Sequence, residues 1–199
     1  MKMKKMLKSL MAAIGVAWVM TGSVFAADVD GVASINDVTY LTLADAVAAA
    51  NSGDTILLKA GEYELPFFAG KELTFKGESK EDVIINDAPN EGAQHGWLGS
   101  TFHFENLTAK GATENNHGLA NGAVAVTYKD CIIKGLRFLY APDVSFDGCQ
   151  FEAEDVEHSF WTYGASNVTV SNCNFFYTDR AVNCYSENGA NHEVDIVFT

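Results

Sequence analysis

A short phrase recurs along the second half of this chain. It consists of two alternating apolar residues, two polar corner residues, a small residue of the buried type and often a further apolar one. It reads Phe102-x-Phe104-Glu105-Asn106-Leu107, then Val126-x-Tyr128-Lys129-Asp130-Cys131-x-Ile133. It returns as Val144-x-Phe146-Asp147-Gly148-Cys149-x-Phe151 and Val168-x-Val170-Ser171-Asn172-Cys173-x-Phe175, and a fifth copy begins at Ile196-x-Phe198-Thr199. The first residues of successive copies are 24, 18, 24 and 28 positions apart. Strand-type alternation inside a unit of that size predicts an all-β solenoid whose coils stack their buried faces. Cys131, Cys149 and Cys173 fall in one slot of the phrase, which predicts an inward ladder of sulfurs.

The first residues read as a processing signal. Lys2, Lys4, Lys5 and Lys8 precede an apolar stretch from Leu10 to Met20, followed by Thr21-Gly22-Ser23-Val24-Phe25-Ala26. A basic start, a short apolar run and small residues at the cut predict an export signal over 1–26, cleaved after Ala26. Eleven apolar residues fall short of the roughly 20 that span a bilayer. No membrane span is therefore expected after cleavage, and the destination is the cell exterior or cell surface, of bacterial type. Residues 27–199 are then one domain.

Removing the signal takes away four of the 13 basic residues and none of the 26 acidic ones. A net charge of −17 on residues 27–199 argues against nucleic acid, whose phosphates demand a basic surface. The balance suits a soluble exported chain. No cofactor is expected, Ca²⁺ being the one ion that acidic loops would suit. No metal site is expected either, because Cys-x-x-Cys and clustered Cys/His spacings are absent from the sequence. Exported cysteines usually pair, but thiols in the same slot of neighbouring parallel strands point the same way, so free buried thiols are favoured. Cys184 lies outside the ladder.

Upstream, Asp28 to Tyr40 reads as an extended lead-in with Val32, Ile35, Val38 and Tyr40 as apolar contacts. Thr42-Leu43-Ala44-Asp45 has the form of a capping box, and Leu43, Ala44, Val47, Ala48 and Ala50 follow at helical spacing. Gly53 is the C-cap candidate of this helix of about ten residues, placed to cover the exposed apolar end of a solenoid. Thr55 to Leu58, Glu72 to Gly77 and Val83 to Asn86 read as strands, with Ala60 to Tyr63 as a turn. Asp87 to Gly99, Asn115 to Gly118 and Ser186 to His192 read as loops. The last copy of the phrase breaks off inside a strand, so a truncated solenoid is expected, continued by further coils or paired with something else. Asn106-x-Thr108 and Asn167-x-Thr169 match glycosylation acceptors but read as structural, with corner asparagines Asn106 and Asn172 bonding adjacent backbone.

Tyr40-x-Thr42-Leu43-Ala44-Asp45-Ala46-Val47, Gly53-Asp54-Thr55-Ile56-x-Leu58, Gly61-x-Tyr63 and Leu73-Thr74-Phe75-x-Gly77 resemble the N-terminal entry of the pectin lyase-like superfamily. Val168-Thr169-Val170-Ser171-Asn172-Cys173-x-Phe175 is similar to its coil repeats in bacterial surface and secreted proteins. The resemblance covers nearly all of 27–199. It implies a right-handed parallel β-helix with a short N-terminal capping α-helix. For function it implies only a range: polysaccharide lyases, hydrolases, esterases and non-catalytic adhesins. The Asn-Thr-Asp, Gly-His-Gly and Arg-Ile-Lys strings of the polygalacturonases do not occur. Arg137 and Arg180 are the only arginines, and neither sits in a lyase motif. Val194 to Phe198 resembles the methylesterase segment only superficially.

The segment Glu152 to Tyr163 is the best local candidate for a site. It sets Glu154, Asp155, Glu157 and His158 beside Phe160, Trp161 and Tyr163, with Asp179, Arg180 and Tyr185 one coil later and Tyr140 one coil earlier. Carboxylates beside aromatics are what a sugar subsite offers. The catalytic candidates are Asp155, Glu157, His158, Asp179 and Arg180, and the ligand-binding candidates are Trp161, Tyr163, Tyr185 and Tyr140. The competing reading is a solvated acidic corner followed by a strand that buries either Phe160 or both Trp161 and Tyr163. His95, His103 and His117 read as surface histidines in or near loops. Three functions stand open: a non-catalytic adhesin-like module contacting a polysaccharide, a host glycan or a protein; a polysaccharide lyase or glycoside hydrolase; and the structural start of a longer surface protein.

Overall fold

Every copy of the recurring phrase forms a strand in the computed structural model, which describes residues 31–86, 99–110, 124–135, 137–139, 141–152, 158–162, 167–176, 180–183 and 195–199. In chain order the elements are β1 (Ala33–Ile35), β2 (Val38–Tyr40), α1 (Leu43–Ala49), β3 (Thr55–Leu58), β4 (Gly61–Glu64) and β5 (Glu72–Gly77). There follow β6 (Val83–Asn86), β7 (Thr101–Glu105), β8 (Thr108–Lys110), β9 (Ala125–Lys129), β10 (Ile132–Lys134), β11 (Arg137–Phe138) and β12 (Asp143–Asp147). The last are β13 (Gln150–Glu152), β14 (His158–Trp161), β15 (Asn167–Ser171), β16 (Asn174–Phe176), β17 (Arg180–Asn183) and β18 (Asp195–Phe198). The chain is all-β with one described helix. Among the described residues no helix is long and apolar enough to cross a membrane.

The strands form three sheets. One has the order β18-β15-β12-β9-β7-β5-β3-β1-β2, a second β16-β13-β10-β8-β6-β4 and a third β11-β14-β17. All pairings are parallel except those of β1 with β2 and β3. From β9 onward the chain visits the three sheets in rotation and returns to the first one strand further along. The register follows the phrase. Phe102 pairs with Val126, Val126 with Val144, Val144 with Val168 and Val168 with Ile196.

This register stacks like on like. Because alternate side chains point to opposite faces, Phe102 and Phe104, Val126 and Tyr128, Val144 and Phe146, and Val168 and Val170 all face one buried core. Rings in equivalent positions lie nearly parallel: Phe104–Tyr128 centroids are 5.2 Å apart, Tyr128–Phe146 5.0 Å and Phe151–Phe175 4.4 Å. Phe160 joins the core at 5.6 Å from Phe146, which settles the phase of β14: Phe160 is buried and Trp161, on the other face, is half-buried.

The corners between the first and second sheets use a left-handed residue. Asn106, Asp130, Gly148 and Asn172 have φ of 50°, 55°, 65° and 54°. This region suits Gly, Asn and Asp. Their backbone N–H groups donate to Lys129, Asp147, Ser171 and Thr199 carbonyls at 2.9–3.1 Å, so the ladder continues through the bend. Asn106 Nδ2 also donates to Gly77 O at 2.9 Å, as expected of a corner asparagine. Asn172 Nδ2 donates instead to the Asp147 carboxylate at 2.9 Å. The Cys slot follows each corner: Cys131 and Cys149 are buried, Cys173 is half-buried, and all three are free.

At the amino-proximal end, Thr42 Oγ1 accepts from the Asp45 N–H at 3.0 Å and donates to the Asp45 carboxylate at 2.7 Å. The helix buries Leu43, Ala46 and Val47. Its last carbonyls are capped by Lys71, whose Nζ donates to Val47 O at 3.0 Å and Ala50 O at 2.8 Å. Several expectations are corrected. The helix is shorter than expected and its C-cap is Ala50, while Gly53 (φ 92°) makes the following left-handed turn. The described part of the expected lead-in forms a hairpin from Ala33 to Tyr40, turned by Asn36 and Asp37 at φ 47° and 66°, rather than a single extended stretch. Val38 is exposed, and Gly61 to Tyr63 belongs to a strand. The predicted loops fall outside the described residues, apart from Gly99.

Two substitutions test this packing by urea denaturation. Phe104→Ala should cost about 3–5 kcal/mol, the usual cost of a large-to-small change in a close-packed core. Gly77→Ala should be at least as damaging as an ordinary core truncation, because its Cβ would lie 2.4 Å from Asn106 O and 3.0 Å from Val83 Cβ. Wild-type stability of Gly77→Ala would refute the close corner contact.

Candidate functional site

The variable position of the phrase points away from the core, so the register that stacks the core also lines up the outer face. Thr74 pairs with His103, His103 with Thr127, Thr127 with Ser145 and Ser145 with Thr169. Neighbouring strands lie about 4.8 Å apart. The result is a row of hydroxyls with one imidazole across β5, β7, β9, β12 and β15. Charged side chains flank the row, with Lys76 Nζ 3.2 Å from Glu105 Oε2 across two strands.

His103 is the centre of this face. Its Nδ1 lies 2.8 Å from Thr127 Oγ1 and its Nε2 3.0 Å from Glu72 Oε1. An ionised carboxylate only accepts, so Glu72 selects the Nε2–H tautomer and leaves Nδ1 to accept the Thr127 hydroxyl proton. The imidazole is 28% exposed and Glu72 59%, so the group is open to solvent on one side. Carboxylate, imidazole and hydroxyl therefore stand in line, the order in which a base activates a nucleophile. Sequence reading missed this group. The sequence reads His103 as a surface histidine in or near a loop, yet it sits in the middle of β7. The signal was present in the phrase itself: aligning Phe102-x-Phe104 with Val126-x-Tyr128 puts the two variable residues, His103 and Thr127, side by side.

Of the sequence-predicted candidates, Asp155, Glu157, Asp179, Tyr140, Tyr163 and Tyr185 lie outside the described residues, as does Cys184. The other three come together on the third sheet. His158 pairs in register with Arg180. Arg180 Nη1 lies 3.5 Å from His158 Nε2, and the His158 and Trp161 rings meet edge-on at 5.5 Å. A guanidinium has no acceptor, so His158 Nε2 faces it as the acceptor. His158 is buried and Arg180 exposed. The cluster thus presents a cation to solvent beside a half-buried indole whose Nε1 is buried.

The second sheet carries a charged row of its own. Asn86 Nδ2 donates to Glu62 Oε1 at 2.9 Å and Lys110 Nζ stands 3.7 Å from the same oxygen, together holding the Glu62 carboxyl below its usual range. Lys134 pairs with Glu152 at 3.3 Å. A groove of about 460 Å³ opens beside the hairpin, lined by Ser34, Leu57, Lys59, Lys76, Glu78 and Asn106 among others. Among the described residues, no three His, Cys, Asp or Glu side chains are grouped to hold a metal ion.

Two thiols of the ladder, Cys149 and Cys173, are poor nucleophiles. The neighbouring Cys131 thiol pushes the Cys149 thiol up to about 12, relieved in part by Cys173 and reinforced by burial. Contact with Cys149 and then burial raise Cys173 as well. Burial raises the Cys131 thiol, but the Cys149 side chain and backbone hydrogen bonds outweigh it and lower the thiol overall. Since the thiolate is the reactive form, Cys149 and Cys173 are not poised as nucleophiles.

No family model matches the sequence, and neither a curated protein nor a solved structure matches it.

The raised acids set an alkaline limit. Cys149 rises from 9.0 to about 12, and burial raises Tyr128 and Tyr63. A group that holds its proton more tightly when folded contributes fully below its unfolded value, and that contribution is lost as pH rises above it. The urea midpoint should therefore hold steady up to about pH 9 and fall toward pH 12, with a shallower fall in Cys149→Ala. Equal slopes in both proteins would show that Cys149 does not contribute.

Proposed function

We propose that the chain is an exported, right-handed parallel β-helix of the pectin lyase-like superfamily. Its role is that of a non-catalytic surface module which contacts extended glycans, or proteins, through the outer face of its long sheet. Parallel strands joined by crossovers are right-handed in about 98% of cases, which supports the hand. The repeated return to each sheet one strand further along supports the helical path. Export rests on the basic and apolar character of residues 1–26.

The observation that carries the function is the in-register row Thr74, His103, Thr127, Ser145 and Thr169. It is a flat, repeating array of donors and acceptors, flanked by Glu72, Lys76 and Glu105. A compact small molecule is held by an enclosing pocket. A flat repeating array instead suits a polymer that repeats its own hydroxyls.

The Glu72–His103–Thr127 line favours a second reading, hydrolysis of a polysaccharide, with Thr127 Oγ1 as nucleophile and His103 as base. Pectin, alginate and arrayed host glycans separate the two. In the first reading, His103→Ala and Thr127→Val weaken glycan binding by about tenfold or more, equivalent to about 1.4 kcal/mol. The same changes shift unfolding by less than about 1 kcal/mol, since they lie on an exposed face. Release of new reducing ends without unsaturated products, abolished by Thr127→Val, would replace the first reading with the second. N-terminal sequencing of the exported protein should begin at Ala27.

A further inference from the structure

The cysteine slot has a geometry that free packing thiols do not need. Cys131 Sγ donates to the Lys129 carbonyl at 3.3 Å and to the Phe104 carbonyl, on the preceding strand, at 3.4 Å. Cys149 Sγ repeats both contacts one strand later, with Asp147 O at 3.5 Å and Tyr128 O at 3.4 Å. Cys173 Sγ repeats the first with Ser171 O at 3.1 Å. The backbone is in step as well: Gln150 N–H donates to Cys131 O at 2.9 Å and Asn174 N–H to Cys149 O at 3.0 Å. Side chains with the same partners, displaced by one strand, have the same rotamer. Their sulfurs are therefore separated by the strand spacing, about 4.8 Å.

That separation excludes one chemistry and fits another. A disulfide needs sulfurs about 2.05 Å apart and Cβ atoms about 3.8 Å apart, which parallel side chains on neighbouring strands do not offer. A metal–thiolate bond is about 2.3 Å, so two collinear bonds span about 4.6 Å, within a few tenths of an ångström of the ladder repeat. A tetrahedral ion would need four ligands around one point, and no such group exists among the described residues. A soft cation that accepts two sulfurs in line needs only a neighbouring pair.

We propose that the Cys131–Cys149–Cys173 column binds a thiophilic monovalent cation of the Cu(I) type, held linearly between two adjacent sulfurs. Sulfur ligands select such soft ions. The charge also balances. One thiol gives its proton to solvent and binds as thiolate, while its neighbour keeps its proton, still donated to the carbonyl two residues back, and binds through a lone pair. The buried unit is then neutral, which avoids the cost of an unpaired charge in the core. Neither sulfur nor metal changes oxidation state. Cys131 and Cys149 are buried whereas Cys173 is half-buried, so the Cys149–Cys173 pair is the point of entry.

Ag(I), added as the nitrate to the reduced full chain carrying Cys184→Ser, is the probe. Ultraviolet thiolate–metal absorption and native mass spectrometry should show saturable uptake of one ion per chain, and X-ray absorption should show two sulfur neighbours. The double variant Cys131→Ser/Cys173→Ser, which leaves Cys149 without a neighbour, should lose uptake. Each single variant, Cys131→Ser or Cys173→Ser, should retain it, and circular dichroism checks that all are folded. Uptake undiminished in the double variant, a shell with one sulfur, or no uptake by the parent would overturn the proposal. So would ready formation of a Cys149–Cys173 disulfide under mild oxidation.

Discussion

The rest of this structure depends on a backbone hydrogen-bond ladder that does not stop at the corners. A strand that ends normally leaves N–H and C=O groups to be satisfied by water or side chains. Here the left-handed residues Asn106, Asp130, Gly148 and Asn172 turn the chain while their N–H groups still reach the next strand, and the following residues resume the ladder in the second sheet. Once the backbone is in register through the bend, each side chain has its counterpart directly above and below it. The aromatic stack, the sulfur column and the outer hydroxyl row all follow from that one condition.

Stacking like on like has different consequences on the two faces. Inside, it favours rings and small apolar groups, because Phe104, Tyr128 and Phe146 meet with parallel planes and Cys131 and Cys149 fill the narrow slot behind each corner. Outside, it would set like charges together, which is unfavourable. On the first sheet the chain alternates them instead, as in Lys76 beside Glu105, or uses neutral hydroxyls; on the second, Lys110 and Lys134 are neighbours, each beside a carboxylate, Glu62 and Glu152. The proposed glycan face is thus the part of the outer surface where the repeat is polar without being strongly charged.

Much of the fold was legible. The phrase identified the strands β7, β9, β12, β15 and β18 and their mutual register, because a period-two pattern with a fixed corner leaves little freedom of phase. The capping box of Thr42 and Asp45 was legible for a similar local reason. The helix end was not, since Lys71, more than twenty residues away, supplies the cap for its carbonyls. The phase of Phe160 was not legible either, because β14 lies outside the phrase and both of its faces carry large residues. The site was the least visible part. Local sequence pointed to the acidic and aromatic run around His158, whereas the only described carboxylate–imidazole–hydroxyl line joins Glu72, His103 and Thr127 from three different strands.

What the sequence determined by itself is therefore the repeating unit: its alternation, its corner residues and the shared slot of its cysteines, all set by interactions within a few residues. What only the tertiary structure decided is which outward residues become neighbours and how far apart equivalent atoms stand. Contacts between strands 18 to 28 residues apart in the chain arise only when the ladder closes. That closure converts a spelling repeat into a spatial one, with a hydroxyl row on one face and sulfurs one strand spacing apart within the core.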